Sequence, residues 1–391
     1  MHRLLPDHLS NLPAPGPEAS AHSRRLGALI RRTIDDAGGW ISFAQFMDLA
    51  LHAPGLGYYS AGMHKFGAEG DFVTAPELGS LFSTVLARQA AQVLHTGIPE
   101  IIECGAGSGR LARDLLRALD ELDCLPQRYC ILETSADLRA RQQMLLAREA
   151  PHIASRVSWL DALPTAIDAL VIANEVLDAM PVHLVGTQSG AIDEIGVIAG
   201  SGDAFAWQSR AATGALLEAA RILPIAPGCT TEIGLAAAAF THTLAASLKR
   251  GVVILIDYGF PAREYYHPQR NSGTLMCHYR HHAHADPLCL VGLQDITAHV
   301  DFSATADAAI ADGCAVLGYT GQAQFLINCG ITDVLAATPV ENSAVYLPLA
   351  SQAQKLMSPA EMGELFKVFA FGRGFDGALC GFVRGDRCHA L

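Results

Sequence analysis

The sequence predicts an α/β fold: a mostly parallel, doubly wound sheet with an N-terminal helical segment and inserted lobes. Three observations carry that expectation. From Glu100 onward, short apolar runs alternate with helical periods, as a parallel sheet with crossover helices requires. Several runs end in an acid or amide, namely Glu103, Glu133, Asn174-Glu175 and Asp257. In open α/β sheets, ligands bind beyond the carboxyl ends of the strands. The third is Gly105-Ala106-Gly107-Ser108-Gly109, set between an apolar run and a helical pattern. Such glycines permit positive φ and close approach of a ligand to a helix N-terminus, which offers free amides and partial positive charge.

The elements follow in order. Residues 1–20 are Pro-rich and polar and read as a frayed end. A helical period over 23–37 stops at Gly38-Gly39. Ser42 is placed as an N-cap for a helix over 43–52. A loop at 67–77 leads into a helix around 81–94. Then come strand 100–104, helix 109–120, strand 129–133, helix 136–149, and strands at 157–160 and 169–173. Residues 182–209 alternate like antiparallel strands, an insertion. Helix 235–249 leads to strand 252–256. Residues 261–304 are too many for a plain connection and suggest a substrate lobe. Helices are expected near 305–317, 321–329 and 359–366, with last strands at 366–371 and 379–383. The domain reading is a helical cap over 1–95 contributing to a cofactor pocket, and a core over 96–391. The core strands fall within 96–186, 250–260 and 364–385, with insertions at about 187–235 and 261–362.

Composition narrows the function classes. Of 391 residues, 50% are hydrophobic and 17% charged, with mean hydropathy +0.24, which favours a compact chain over a disordered one. No apolar run reaches the roughly 18 residues of a membrane span, so no membrane insertion is expected. A net charge of −12 and a pI near 5.7 oppose broad nucleic-acid binding. Ten cysteines without a C-x-x-C pair suit buried free thiols in a reducing compartment. With no apolar signal core near the N-terminus, the expected location is the cytoplasm.

The spacing of the loop selects among cofactors. A dinucleotide fingerprint wants glycine or alanine at the sixth position of G-x-G-x-x-G. Arg110 stands there, and the third glycine arrives one residue early. G-x-G-x-G after Glu103 better suits S-adenosylmethionine, a zwitterion with no pyrophosphate, whose ammonium an acid can receive. Glu133 ends the next strand, where a ribose acceptor belongs, about 20 residues past such a loop. A nicotinamide dehydrogenase is the fold-level alternative, which Arg110 disfavours.

The acceptor side is read from acids. A guanidinium has a pKa above about 12 and is a poor nucleophile until oriented. Glu175 and Asp178, three apart on a turn or first helical turn, would grip it, unless they serve only as N-terminal helix acids. Asp257 and His281 are further pocket candidates. The tract His278, His281, His282, His284 lacks a fixed ligand geometry, so no metal is expected. Tyr58, Tyr59 and Phe72 would close over a ligand or pack in a cap. No Walker loop or G-x-S-x-G elbow occurs.

These residues resemble the MidA family of S-adenosylmethionine-dependent methyltransferases of bacteria and mitochondria. The likeness runs from about residue 24 to near the end. It includes Gly57-Tyr58-Tyr59, residues 70–77, the loop from Glu103, Glu133-Thr134-Ser135 and residues 174–182. Asp257-Tyr258-Gly259, Gly273-Thr274-Leu275, His281 and residues 295–302 follow. Gln322, Phe325-Leu326, Met362-Gly363 and Phe366-Lys367-Val368 complete it. The resemblance implies a class I, Rossmann-like methyltransferase core with family-specific insertions. Mitochondrial relatives assist assembly of respiratory complex I and methylate an arginine of one subunit. It further implies cofactor contacts at Gly70, Asp71, Thr74, Glu103, Gly105, Gly107, Glu133 and Asn174, with Glu175 and Asp178 beside the transferred methyl. Met276 and the dense histidine tract depart from the family pattern. The leading expectation is methylation of a protein arginine, the acceptor being a complex I subunit, with a homodimer allowed and nucleic acid excluded. Small-molecule methylation and a non-catalytic, cofactor-binding assembly factor are the alternatives.

Overall fold

The computed structural model describes residues 9, 11–61, 74–188 and 190–391. They fall into two compact units. One holds residues up to 61 with Leu177–Ala238 and Phe260–Asp301; the other holds residues from 74 to 176 with Ala239–Gly259 and Phe302–Leu391.

The second unit carries the expected sheet. Its strands are β1 (Glu100–Cys104), β2 (Arg128–Leu132), β3 (Val157–Leu160), β4 (Ile167–Asn174), β5 (Leu248–Phe260), β6 (Ala315–Gly321) and β7 (Phe366–Arg373). They lie in the order β6-β7-β5-β4-β1-β2-β3. Pairing is parallel from β5 to β3, and β7 is antiparallel to both β5 and β6. The strand order reverses between β1 and β4, which opens a ligand crevice at the carboxyl ends. Both faces are covered. Ile101, Tyr129, Ile131, Leu170, Ile172, Val252, Ile254 and Val368 join one buried cluster with Leu86, Leu115 and Phe325. On the alternate positions, Phe369 meets Phe302 and Tyr319 at ring-centroid separations of 6.2 and 6.5 Å. Burial on both faces explains the unbroken apolar runs.

The first unit is mixed. Helix Pro17–Asp36 and helix Phe43–His52, the latter capped by Ser42 Oγ accepting from the Gln45 amide at 3.1 Å, stand beside antiparallel strands His183–Gln188, Ala191–Ala199, Phe205–Ala211 and Thr230–Ile233. The stretch over 261–304 that reads as irregular holds a three-stranded sheet of Met276–Tyr279, His282–His284 and Asp295–Thr297.

Several expectations need correction. Residues 17–20 are helical, not frayed, because Pro17 at the first turn is pre-set for a helix. The cap expected over 1–95 is not one unit: helix Leu81–Leu94 packs against helix Arg110–Glu121 and β4 in the second unit. Likewise the insertion over 261–362 is divided, and residues from Phe302 belong with the core. In place of a helix over 305–317, the chain forms helix Phe302–Ala311 and then β6. Gly313 at φ 77° turns the chain, and Val316, Tyr319 and Thr320 favour a strand. The helix expected at 359–366 is absent; helix Ser343–Met357 precedes it. Pro359 lacks a donor, and a Cβ at Gly363 would lie 2.2 Å from the Met357 carbonyl oxygen. The last expected strand, 379–383, is a 3₁₀ turn over Cys380–Phe382, whose Cys380 and Gly381 amides donate to the Gln92 and Gln89 side chains.

Gly251 gives a direct test of this sheet. It sits in β5 at φ 135°, opposite Ala169 in register, and a Cβ there would lie 2.0 Å from the Ala169 carbonyl oxygen. Backbone cannot yield as a side-chain tip does. Gly251→Ala is expected to lower unfolding free energy by about 3 kcal/mol, read from urea denaturation followed by circular dichroism.

Candidate active site

Register aligns the groups that the sequence singles out. Cys104 of β1 is level with Leu132 of β2 and Ala173 of β4, and Asn174 is level with Ile256 of β5. Glu103, Glu133, Asn174-Glu175 and Asp257 therefore lie along one rim of the second unit.

The glycine loop is a left-handed turn. Gly105, Gly107 and Gly109 have φ of 68°, 52° and 84°. A Cβ at Gly105 would stand 2.9 Å from Val176 Cγ2, and one at Gly109 3.1 Å from Gln142 Cγ. Side chains would both strain the backbone and fill the cradle. Gly109 is the N-cap of helix Arg110–Glu121 and has no side chain to cap it, so the helix's first amides are left to other acceptors. The preceding segment braces the loop. Ser108 Oγ donates to Glu77 Oε1, and Arg110 Nε pairs with Glu77 Oε2 at 3.3 Å. Sequence reading does not single out Glu77; its place inside the 70–77 motif is the one available signal.

Glu103 is buried, and Tyr129 donates its hydroxyl to Glu103 Oε2 at 2.7 Å. Burial pushes the Glu103 carboxyl up to about 7; the tyrosine hydrogen bond opposes the rise and the charge of Glu133 adds to it. Glu133 accepts from the Ser135 amide at 2.9 Å and from Gln142 Nε2 at 3.1 Å. Gln142 and Trp159, which complete this network, escape sequence reading; a buried glutamine in a helix carries no sequence signal of its own.

At the end of β4, Asn174 Nδ2 donates to Glu175 Oε1 at 3.1 Å, and the Ala75 amide donates to the same oxygen at 3.4 Å. Asn174 Oδ1 is buried without a hydrogen-bond partner among the described residues. Glu175 holds φ 53°, a left-handed conformation unfavourable for glutamate, and strain of this kind persists where surroundings enforce it. No helix follows, for residues 175–180 form bends and turns. Of the two expectations for Glu175 and Asp178, a turn or a first helical turn, the chain takes the turn, and the alternative role as helix-dipole acids has no helix to serve. Asp178 belongs to the first unit, is buried, and raises the pKa of Tyr59 together with Asp295 and burial, burial acting most. Asp257 is fully buried in β5 and accepts from the Tyr258 amide at 2.9 Å. Thr74 precedes the short helix Ala75–Leu78, its carbonyl accepting from Glu77. Gly70, Asp71 and Phe72 lie outside the described residues.

The remaining candidates belong to the first unit. His281 occupies the tip of the hairpin between Met276–Tyr279 and His282–His284, exposed, with φ 61° after Arg280 at 48°. Two successive positive φ values mark the tight hairpin turn, so the observed role of His281 is in the turn. Tyr58 is buried in an apolar cluster, and Tyr59 donates to Asp295 Oδ1 at 2.9 Å. Gly273-Thr274-Leu275 wraps a buried acid that sequence reading misses: Glu232 accepts from the Thr274 and Leu275 amides at 2.8 and 3.0 Å. Among the described residues there is no cluster of metal-ligating side chains, and no helix is long and apolar enough to cross a membrane.

A family model described as "putative S-adenosyl-L-methionine-dependent methyltransferase" matches residues 85–320, well over half of the chain. The chain belongs to this methyltransferase family. It is similar to a crystal structure from Burkholderia thailandensis described as a "likely methyl transferase" bound to S-adenosyl-homocysteine. The two are 52% identical with TM-score 0.94, covering 97% of this chain and 100% of that one. Curated relatives are more distant. The protein arginine methyltransferase NDUFAF7 homolog of Drosophila melanogaster is 27% identical, covering 93% of this chain and 89% of its own. The mouse protein is also 27% identical, covering 92% and 86%. The methyltransferase is thus an S-adenosylmethionine-dependent enzyme with a Rossmann-like core, in keeping with the glycine spacing and the strand-end acids.

The elevated Glu103 pKa has a signed consequence. The folded value, about 7, exceeds the ordinary 4.5, so the native state retains the proton longer and loses stability as pH rises from 4.5 to 7. An ammonium received by Glu103, as the sequence leads one to expect, would favour the ionised form. Affinity for S-adenosylhomocysteine should therefore climb by up to about tenfold per pH unit below 7 and level off near 7. Titration calorimetry between about pH 5.5 and 7.5 checks this, with Glu103→Gln weaker and flat across the range.

Proposed function

We propose that this methyltransferase transfers a methyl group from S-adenosylmethionine to an arginine of a protein acceptor, a respiratory complex I subunit. The observation that carries the reading is Glu175, held strained at the end of β4 with one oxygen tethered by Asn174 and the Ala75 amide. A carboxylate fixed in this way suits a planar cation better than a neutral hydroxyl acceptor. The names of the curated relatives, protein arginine methyltransferase NDUFAF7 and its homologs, support the same acceptor class.

The cradle fits the cofactor. Three glycines hold the loop at positive φ, and Cβ atoms at Gly105 and Gly109 would press on Val176 and Gln142; acids end the first two strands. Glu103 would hold the amino-acid end, with the Gly105 and Gly107 loop against it, and Glu133 would hold the ribose diol. Thr74 and Asn174 would complete the surround. When bound, S-adenosylmethionine supplies an electrophilic methyl on a sulfonium, and its displacement needs alignment more than acid catalysis. Glu175 would orient the guanidinium and draw positive charge toward itself, leaving one nitrogen directed at the methyl. Asp257, buried and opposite Lys367 in register, would shape the pocket. We propose the cytoplasm as its location.

The test uses tritiated S-adenosylmethionine with purified bacterial complex I subunits, and mass spectrometry to locate the methyl. Glu175→Gln should lower kcat about 100-fold or more while leaving S-adenosylhomocysteine affinity within about threefold. Unchanged turnover in that variant removes Glu175 from the mechanism. A wild-type enzyme that methylates only small molecules removes the protein acceptor.

A further inference from the structure

Gln142 lies on helix Ala136–Glu149 and is fully buried. Its side chain makes three hydrogen bonds that the helix does not need. Nε2 donates to the Gly107 carbonyl at 2.9 Å and to Glu133 Oε2 at 3.1 Å, while Oε1 accepts from Trp159 Nε1 at 2.8 Å. An indole N–H donates only. Trp159 therefore decides which end of the amide carries oxygen, and the two amide hydrogens must face the loop and the acid. Gly109 makes the approach possible, since a Cβ there would lie 3.3 Å from Gln142 Cα and Cβ.

We propose that Gln142 is a positioning residue for the cofactor's ribose: it ties the glycine loop to the acid that receives the sugar. The inference rests on Glu133 being that acid. A glutamate's terminal torsion is broad, so an untethered carboxylate samples many orientations. Here Ser135 holds Oε1 and Gln142 holds Oε2, which fixes the carboxylate plane before a diol arrives. Because the same Nε2 also grips Gly107, the loop and the acid are set at one separation. Preorganisation of this kind lowers the ordering cost of binding.

The readout is a ratio, which separates positioning from general loosening. Calorimetry would compare S-adenosylhomocysteine with its 2′,3′-dideoxy analogue on wild type, Glu133→Gln, Gln142→Leu, Trp159→Phe and the Glu133→Gln/Gln142→Leu double variant. Two charge-assisted hydrogen bonds predict a wild-type preference for the diol on the order of 100-fold. Gln142→Leu should cut that preference to below about tenfold. Trp159→Phe should lower it in the same direction by less, and the double variant should do no worse than Glu133→Gln alone. If Gln142→Leu weakens both ligands equally, Gln142 is merely structural and the proposal falls. Should Gln142→Leu not fold, Trp159→Phe at its half-buried site decides, and an unchanged ratio overturns the proposal. A ratio preserved in Glu133→Gln sinks the ribose reading itself, a result distinguishable from loss of the ratio in Glu133→Gln but not in Gln142→Leu.

Discussion

A left-handed turn of five residues governs the second unit. Gly105, Gly107 and Gly109 all hold positive φ, which L side chains resist by roughly 1–2 kcal/mol per residue. The turn can exist only where glycine removes that cost and where neighbours enforce the conformation. Those neighbours are specific. Val176 just past β4, Gln142 from helix Ala136–Glu149 and Glu77 from the segment before β1 each touch the loop or its flanks. The loop is thus the meeting point of three elements that are distant in sequence.

This arrangement explains why acids are tolerated on the same rim. Glu103 is buried and its carboxyl is driven upward by desolvation, a cost that only a hydrogen-bond partner or a cation offsets. Tyr129 supplies part of the offset. In the proposed cofactor site a zwitterionic ligand would supply the rest through its ammonium, so an acid that weakens the fold by itself would strengthen the complex. Glu175 shows the same trade in its backbone, with left-handed strain retained at the strand end where acceptor chemistry is proposed.

The first unit uses buried acids differently. Glu232 closes on the Thr274 and Leu275 amides and on Tyr265, whose hydroxyl lies 3.2 Å away. In sequence, Gly273-Thr274-Leu275 is one of the stretches that carry the family resemblance, and its glycine sits where a Cβ would strike Glu232 at 2.2 Å. A family motif can therefore mark internal packing, its glycine fixed by the acid it wraps.

Local chemistry was enough to read the five parallel strands, their helices and the glycine loop, because apolar runs, caps and positive-φ glycines act within a few residues. The acids at the strand ends were legible for the same reason: each follows directly on its strand. Tertiary structure decided what range-limited signals cannot reach. It inserted β7 between β5 and β6, assigned helix Leu81–Leu94 to the core, and turned 359–366 away from helix. It also recruited Gln142, Trp159, Glu77 and Glu232, whose partners lie 9 to 43 residues away. A polar side chain reveals its role only when folding removes water and leaves one acceptor or donor within reach.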